Sequence, residues 1–180
     1  MAFLHPDVVA KAFNILPGMH IADFGTGGGH WALSLAKLTG PGGIVYAIDV
    51  QTEALEAVRS QAETAGIHHI ESIRADVERP RGSGLADTAI DFVLIANILF
   101  QTDKKNAVIK EAWRILKPRG YTAVIDWDEG GSDTGPPLPY RVPRKEVEHL
   151  LIQEGFVFDK EFSAGSHHYG MLFKKTDGGK

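Results

Sequence analysis

The chain alternates short apolar runs with segments of helical period, and that order restricts its fold more than any other feature. A run that is apolar at successive positions needs burial on both sides. When each such run is followed by an amphipathic helix, a parallel sheet covered on both faces meets that need. Residues 20–24, 44–48, 91–96 and 121–127 read as apolar strands, and a further strand is expected near 69–74, before a polar, Gly-containing connection. Trp31, Leu35 and Leu38 give helical spacing over 30–38, and Leu55, Val58 and Ala62 mark a helix that ends near Gly66. Val108, Ala112 and Ile115 with Leu116 form the buried face of another, after which Lys117-Pro118-Arg119-Gly120 is expected to turn the chain. An opening helix is expected around residues 6–16, within an N-terminal segment 1–17 that closes on Pro17-Gly18.

The end of the chain follows a different pattern. Pro143 suits the first turn of a helix whose stripe is Val147, Leu150 and Leu151 and whose stop is Gly155. Phe156, Phe158 and Phe162 then alternate as in one strand, and Tyr169, Met171 and Phe173 as in another. Only Ala164-Gly165-Ser166 lies between them to turn, and strands joined so closely pair antiparallel. The expected fold is α/β: a three-layer sandwich with a mostly parallel, seven-stranded sheet and an antiparallel terminal strand. It forms a single domain over residues 1–180 with a frayed tail at 177–180. Residues 128–143, with three glycines and four prolines, read as an irregular segment and as a candidate active-site lid.

Composition narrows the function classes. At 180 residues and 43% hydrophobic content, the chain can bury one sizeable core. No apolar run approaches the roughly 18 to 20 residues that cross a bilayer, so a soluble, cytoplasmic protein without a membrane span is expected. There is no cysteine, which removes disulfides, thiolate metal sites and cysteine nucleophiles. A formal net charge of -4 offers no general attraction to nucleic acid. Lys104, Lys105, Lys110, Arg114, Lys117 and Arg119 are dispersed over one helix and its exit, as on a solvated face.

Chemistry is concentrated in the loop Asp23-Phe24-Gly25-Thr26-Gly27-Gly28-Gly29, directly after the first strand and before a helix. Its glycines let the backbone turn sharply and approach a ligand. Asp49 closes the second strand, where a carboxylate can accept hydrogen bonds from both hydroxyls of a ribose. A dinucleotide loop would read Gly-x-Gly-x-x-Gly, but the third position here is His30. The glycines at Gly25, Gly27 and Gly29 after an acidic residue favour a nucleoside ligand without a pyrophosphate; a merely structural turn is the alternative.

That loop resembles motif I of class I, Rossmann-like, S-adenosylmethionine-dependent methyltransferases. Val45-Tyr46-Ala47-Ile48-Asp49, Arg74-Ala75-Asp76-Val77, 91–97 and Leu116-Lys117-Pro118-Arg119-Gly120 look like the successive motifs of that family, in its order. The likeness covers about 17–125 and extends to the antiparallel ending. It is broadest to the group that includes ubiquinone and menaquinone methyltransferases. The resemblance implies S-adenosylmethionine as cofactor and S-adenosylhomocysteine as product. It implies a cofactor site of Asp23, Gly25, Thr26, Gly27, Gly29 and Val50, with Asp49 at the ribose, Asp76 and Val77 at the adenine, and Asn97 at the methionine end. An arsenite-methylating activity is disfavoured, since its thiol chemistry needs cysteines.

The acceptor is not identified by these motifs and can be a small molecule or a macromolecular surface. Asp126, following the fifth strand, is the candidate base, and Trp127, Tyr140, Arg141 and His167 are candidate substrate contacts. His167 and His168 are adjacent in a strand and face opposite sides, a poor arrangement for one metal. The eight histidines lack metal-binding spacing. Asp126 with Asp128 lacks the adjacent Asp-Asn pair of magnesium-dependent catechol-type methyltransferases, so no metal is expected. Two alternatives stand beside the methyltransferase reading: a non-catalytic nucleoside-binding module and a nicotinamide-dependent oxidoreductase. Nothing in the sequence selects an oligomeric state.

Overall fold

The computed structural model describes residues 4–130 and 134–177. Its seven strands are β1 (His20–Phe24), β2 (Ile44–Asp49), β3 (Ile70–Arg74), β4 (Ile90–Ala96), β5 (Leu116–Trp127), β6 (Phe156–Ser163) and β7 (His168–Lys175). They form one sheet in the order β3-β2-β1-β4-β5-β7-β6. β1 to β5 pair in parallel, and β7 runs antiparallel to both β5 and β6.

Five helices cover the sheet: α1 (Pro6–Val9), α2 (His30–Thr39), α3 (Thr52–Thr64), α4 (Lys105–Ile115) and α5 (Arg144–Glu154). Because strand side chains alternate, one run of apolar residues supplies two cores. Ile21, Phe92 and Leu94 pack on one face with Phe13, Trp31, Leu35 and Val58, beneath α1, α2 and α3. Phe24, Val93 and Ile95 pack on the other with Val108, Ile115 and Leu151, beneath α4 and α5. The chain runs outward from β1 to β3 and returns to β4 on the other side of β1. A crevice therefore opens at the carboxyl ends of β1 and β4, the usual ligand position in such sheets.

Three expectations need correction. The opening helix stops short of residue 16: α1 tightens into a 3-10 turn at Ala10–Phe13, and Asn14 adopts a left-handed φ of 57°. Lys117-Pro118-Arg119-Gly120 does not end the helix as a separate turn but lies inside β5. Leu116 already pairs with Ile90, and pairing resumes between Tyr121 and Phe92, so the four residues form an irregular bulge with Arg119 at a φ of 65°. Leu116 thus starts a strand and not the last turn of the helix.

The third correction concerns the phenylalanines of β6. Strict alternation would place Phe156, Phe158 and Phe162 on one face, but Asp159 is an extra residue between the pairs Phe158–Phe173 and Lys160–Leu172. A one-residue slip reverses every side chain beyond it. Phe162 consequently lies on the α1 side, its ring centroid 5.3 Å from that of Phe13. Gly170 makes this possible, since a Cβ there would sit 2.3 Å from the Phe162 ring. Of the tail expected to fray, residues 178–180 lie outside the described residues.

Candidate functional site

The glycine loop leaves β1 through three positive-φ residues, Gly25 (66°), Gly27 (52°) and Gly29 (84°). The N–H groups of Gly25 and Thr26 both donate to the Ile48 carbonyl, at 2.8 and 3.0 Å, which ties the loop to β2. Asp49 completes the tie: Oδ2 accepts from the Gly27 N–H and Oδ1 from the Gln51 N–H, each at 3.0 Å. A carboxylate has about four acceptor positions, so Asp49 keeps capacity for a ligand while it shapes the loop.

Asp23 is only 1% exposed and accepts from Thr26 Oγ1 at 2.7 Å. Burial pushes its carboxyl up to about 7, and the Asp49 charge pushes the same way against the Thr26 hydrogen bond. Gly29 answers a packing demand: a Cβ would lie 2.8 Å from a methyl of Val58 on α3. A Cβ on Gly25 would meet the Ile98 side chain at 2.9 Å, so the two sides of the crevice touch at this glycine.

A cavity of about 330 Å³ opens along the carboxyl ends of β1 to β4. Gly25, Gly27, Asp49, Val50, Asp76, Val77 and Asn97 line it, together with Gln51, Ile98 and Gln101. The Asp76 carboxylate accepts from the Glu78 N–H at 3.0 Å and pairs with Arg79 at 3.1 Å, a turn that leads into Val77. Asn97 is held at a left-handed φ of 56° by its N–H bond to the Ile125 carbonyl at 2.8 Å. Its Oδ1 is buried and has no hydrogen-bond partner among the described residues. Such an atom is costly unless something fills the cavity and donates to it.

A second cavity of about 540 Å³ adjoins the first, sharing Gly25, Asn97 and Gln101 with it. Leu4, His5 and Pro6 form its outer wall, and Thr26, His30, Trp31 and Ala96 the rest. α1 is held over this cavity by Asp7, which accepts from Ser34 Oγ at 2.5 Å and pairs with Lys37 at 3.0 Å. Those two groups hold the Asp7 carboxyl below its ordinary value.

The structure thus brings together Gly25, Gly27, Asp49, Val50, Asp76, Val77 and Asn97 in the first cavity, with Thr26 in the second. Asp23 and Gly29 stand behind them. The other candidates gather elsewhere. Asp126 has no exposed surface and lines neither cavity; Oδ1 accepts from the Trp127 N–H at 2.8 Å and Oδ2 from the Phe100 N–H at 3.3 Å. Burial pushes its carboxyl up to about 6 against those hydrogen bonds.

Arg141 is turned inward, 7% exposed, and donates to the carbonyls of Asp128, Thr134 and Pro136 at 2.8, 2.8 and 3.0 Å. Its guanidinium lies 5.8 Å from the Trp127 ring centroid, and on that ring also rest His168, centroids 4.2 Å apart, and Gly135. Burial pushes the His168 imidazole down to about 4. Tyr140 is 65% exposed, and the His167 carbonyl accepts from the Asp128 N–H at 2.9 Å. Among the described residues, none of 128–143 lines either cavity, nor do Trp127 and His167. Residues 131–133 of this segment lie outside the described residues.

Sequence reasoning missed Gln51, Ile98 and Gln101. The available signal was Gln101, four residues after Asn97 behind a strand end, the spacing that lets Gln101 Nε2 donate to the Asn97 carbonyl at 2.5 Å. No group of three or more His, Asp or Glu able to hold a metal occurs among the described residues, and no helix among them is long and apolar enough to cross a membrane.

A model of a methyltransferase domain family matches residues 15–157. An arsenite methyltransferase from Aquipseudomonas alcaligenes is 28% identical over 128 residues, 65% of this chain and 37% of that protein. A demethylmenaquinone methyltransferase from Listeria welshimeri is 29% identical over 168 residues, 92% of this chain and 66% of that protein. The chain therefore spans less than two thirds of the length of either relative. Among solved structures, a SAM-dependent methyltransferase from Aquifex aeolicus superposes with a TM-score of 0.86 at 28% identity, covering 96% of this chain and 90% of that one. The cyclase SpnF shares the fold, with a TM-score of 0.81 at 17% identity and coverage of 96% and 80%.

Proposed function

The chain belongs to the methyltransferase domain family, and from that premise we propose that it moves the methyl group of S-adenosylmethionine to an acceptor held in the second cavity. The observation that carries this reading is the first cavity, with a carboxylate at the end of β2 and the unpartnered Asn97 Oδ1 at the end of β4. The residues fit the cofactor. Asp49 would accept from the ribose hydroxyls, Asp76 and Val77 would meet the adenine, and Asn97 Oδ1 would accept from the ammonium of the methionine portion. Gly25 and Gly27 leave the approach free of side chains.

S-adenosylmethionine supplies an electrophilic methyl on a sulfonium sulfur, so the protein's main contribution is to orient an acceptor toward it. The wall shared by the two cavities supports that division of labour, because Asn97 and Gln101 reach both. Among the described residues, the lining of the second cavity includes no carboxylate, lysine or arginine, only the imidazoles of His5 and His30. This favours an acceptor without net charge, whose proton, where one is released, passes to an imidazole.

Calorimetric titration with S-adenosylmethionine, S-adenosylhomocysteine and NAD tests the cofactor. Saturable binding of both adenosyl ligands and none of NAD is expected. NAD binding without either adenosyl ligand would favour the oxidoreductase reading, and binding without turnover of any acceptor would favour a non-catalytic module.

A further inference from the structure

Asp126, next to last in β5, carries a carboxylate with no exposed surface. A buried acid of this kind persists in a fold only where its oxygens are used. Both oxygens are: one accepts from its own strand end at Trp127, the other from Phe100 in the 3-10 turn Leu99–Gln101. The Leu99 N–H also faces the carboxylate. This turn follows Asn97 with Ile98 between them, and it ends at Gln101, whose side-chain N–H donates back to the Asn97 carbonyl. Asp126 thus grips the far side of a segment whose near side is the wall common to both cavities.

We propose that Asp126 is a positioning residue: its carboxylate fixes the 97–101 segment and so holds Asn97 and Gln101 in register for cofactor and acceptor. The cofactor part rests on the methyltransferase reading above; the grip on the turn does not. An amide at this position keeps the shape but replaces one acceptor oxygen with a donor set against an N–H. Asp126→Asn should therefore loosen the turn without emptying the core.

Two measurements test this. Amide hydrogen exchange on the ligand-free protein should show residues 99–101 exchanging at least tenfold faster in Asp126→Asn, with the centre of β4 unchanged. Calorimetry with S-adenosylhomocysteine should show about tenfold weaker binding for Asp126→Asn, about fivefold for Gln101→Ala, and no more than about tenfold for the double variant, because both act through one segment. Unchanged exchange at 99–101, or losses that multiply in the double variant, would overturn the proposal. Should wild type fail to bind S-adenosylhomocysteine, the methyltransferase reading fails and the exchange experiment alone decides the grip. Asp126→Ser, which keeps one oxygen, replaces Asp126→Asn if the latter does not fold.

Discussion

Around the crevice between β1 and β4 the chain leaves acceptors of its carboxylate and amide side chains open, whereas at the β5–β7 seam the charged side chains and the Tyr169 hydroxyl close on partners within the fold. Asp49 has acceptor positions to spare, and Asn97 Oδ1 has no partner among the described residues. At the β5–β7 seam Arg141 is engaged by three carbonyls, Asp128 by Arg144 at 2.7 Å, and Tyr169 by the Val142 carbonyl at 3.1 Å. The imidazoles are the exception at this seam: both ring nitrogens of His168 and Nδ1 of His167 are buried without a partner among the described residues, but they line neither cavity, and His168 lies against Trp127, where burial disfavours its charged form. Both regions sit at the carboxyl ends of strands, where sequence position alone suggests ligand contact. An open carboxylate and an unpartnered amide oxygen on a cavity wall distinguish the crevice from its scaffold.

The largest expected effect breaks the scaffold. Arg141→Ala should cost about 3 kcal/mol of stability, since it orphans carbonyls and uncovers Trp127. Thermal unfolding should show this as a Tm lower by roughly 6 to 12 °C, while affinity for S-adenosylhomocysteine stays within twofold. A large loss of affinity with unchanged Tm would reverse the assignment of the two regions.

Next comes the pH dependence of Asp23. Its folded carboxyl, pushed up to about 7 by burial, holds its proton more tightly than in the unfolded chain. The stability this contributes is fully present below the ordinary carboxylate value near 3.8 and is lost as pH rises through about 7. Asp23→Asn removes that dependence. Its stability relative to wild type should therefore rise by about 3 kcal/mol between pH 4.5 and 7.5, read by denaturant titration at both values. A constant difference would show that Asp23 does not titrate in this range.

Asp49→Ala is expected to have the smallest energetic effect and the most selective one. Losing charge-assisted hydrogen bonds to a ribose should weaken S-adenosylhomocysteine by roughly 10- to 30-fold, about 1.5 to 2 kcal/mol. Calorimetry checks it, and an equal loss for Asp76→Ala would extend the open region to the adenine end.

Much of this was legible from the chain. β1 falls on 20–24 as its apolar run requires, and Gly66 and Gly155 stop their helices at left-handed φ values of 66° and 108°. The cavity positions at Gly25 and Asp49 were legible because each sits at a strand end that the alternation already locates, whereas Asp76 and Asn97 were legible only through the resemblance to the methyltransferase motifs. What was not legible depends on contacts far apart in sequence. Whether Pro118 and Gly120 form a turn or a bulge is decided by Ile90 and Phe92 on the neighbouring strand. Phe162 changes face because of one unpaired residue in β6. An arginine in a proline-rich segment looks like a ligand contact until the fold turns three carbonyls toward it, as happens to Arg141. Asp126 likewise reads as a base until the turn after β4 comes to rest on it.

The crevice between β1 and β4 is expected to receive the adenosyl ligand, and a crystal structure of the protein with S-adenosylhomocysteine decides whether it does. The ribose hydroxyls should lie on Asp49, the adenine beside Asp76 and Val77, and a ligand N–H should donate to Asn97 Oδ1, with Arg141 still bonded to the Asp128, Thr134 and Pro136 carbonyls. Ligand bound against Trp127 and Arg141, with Asn97 Oδ1 still unpartnered, would contradict it.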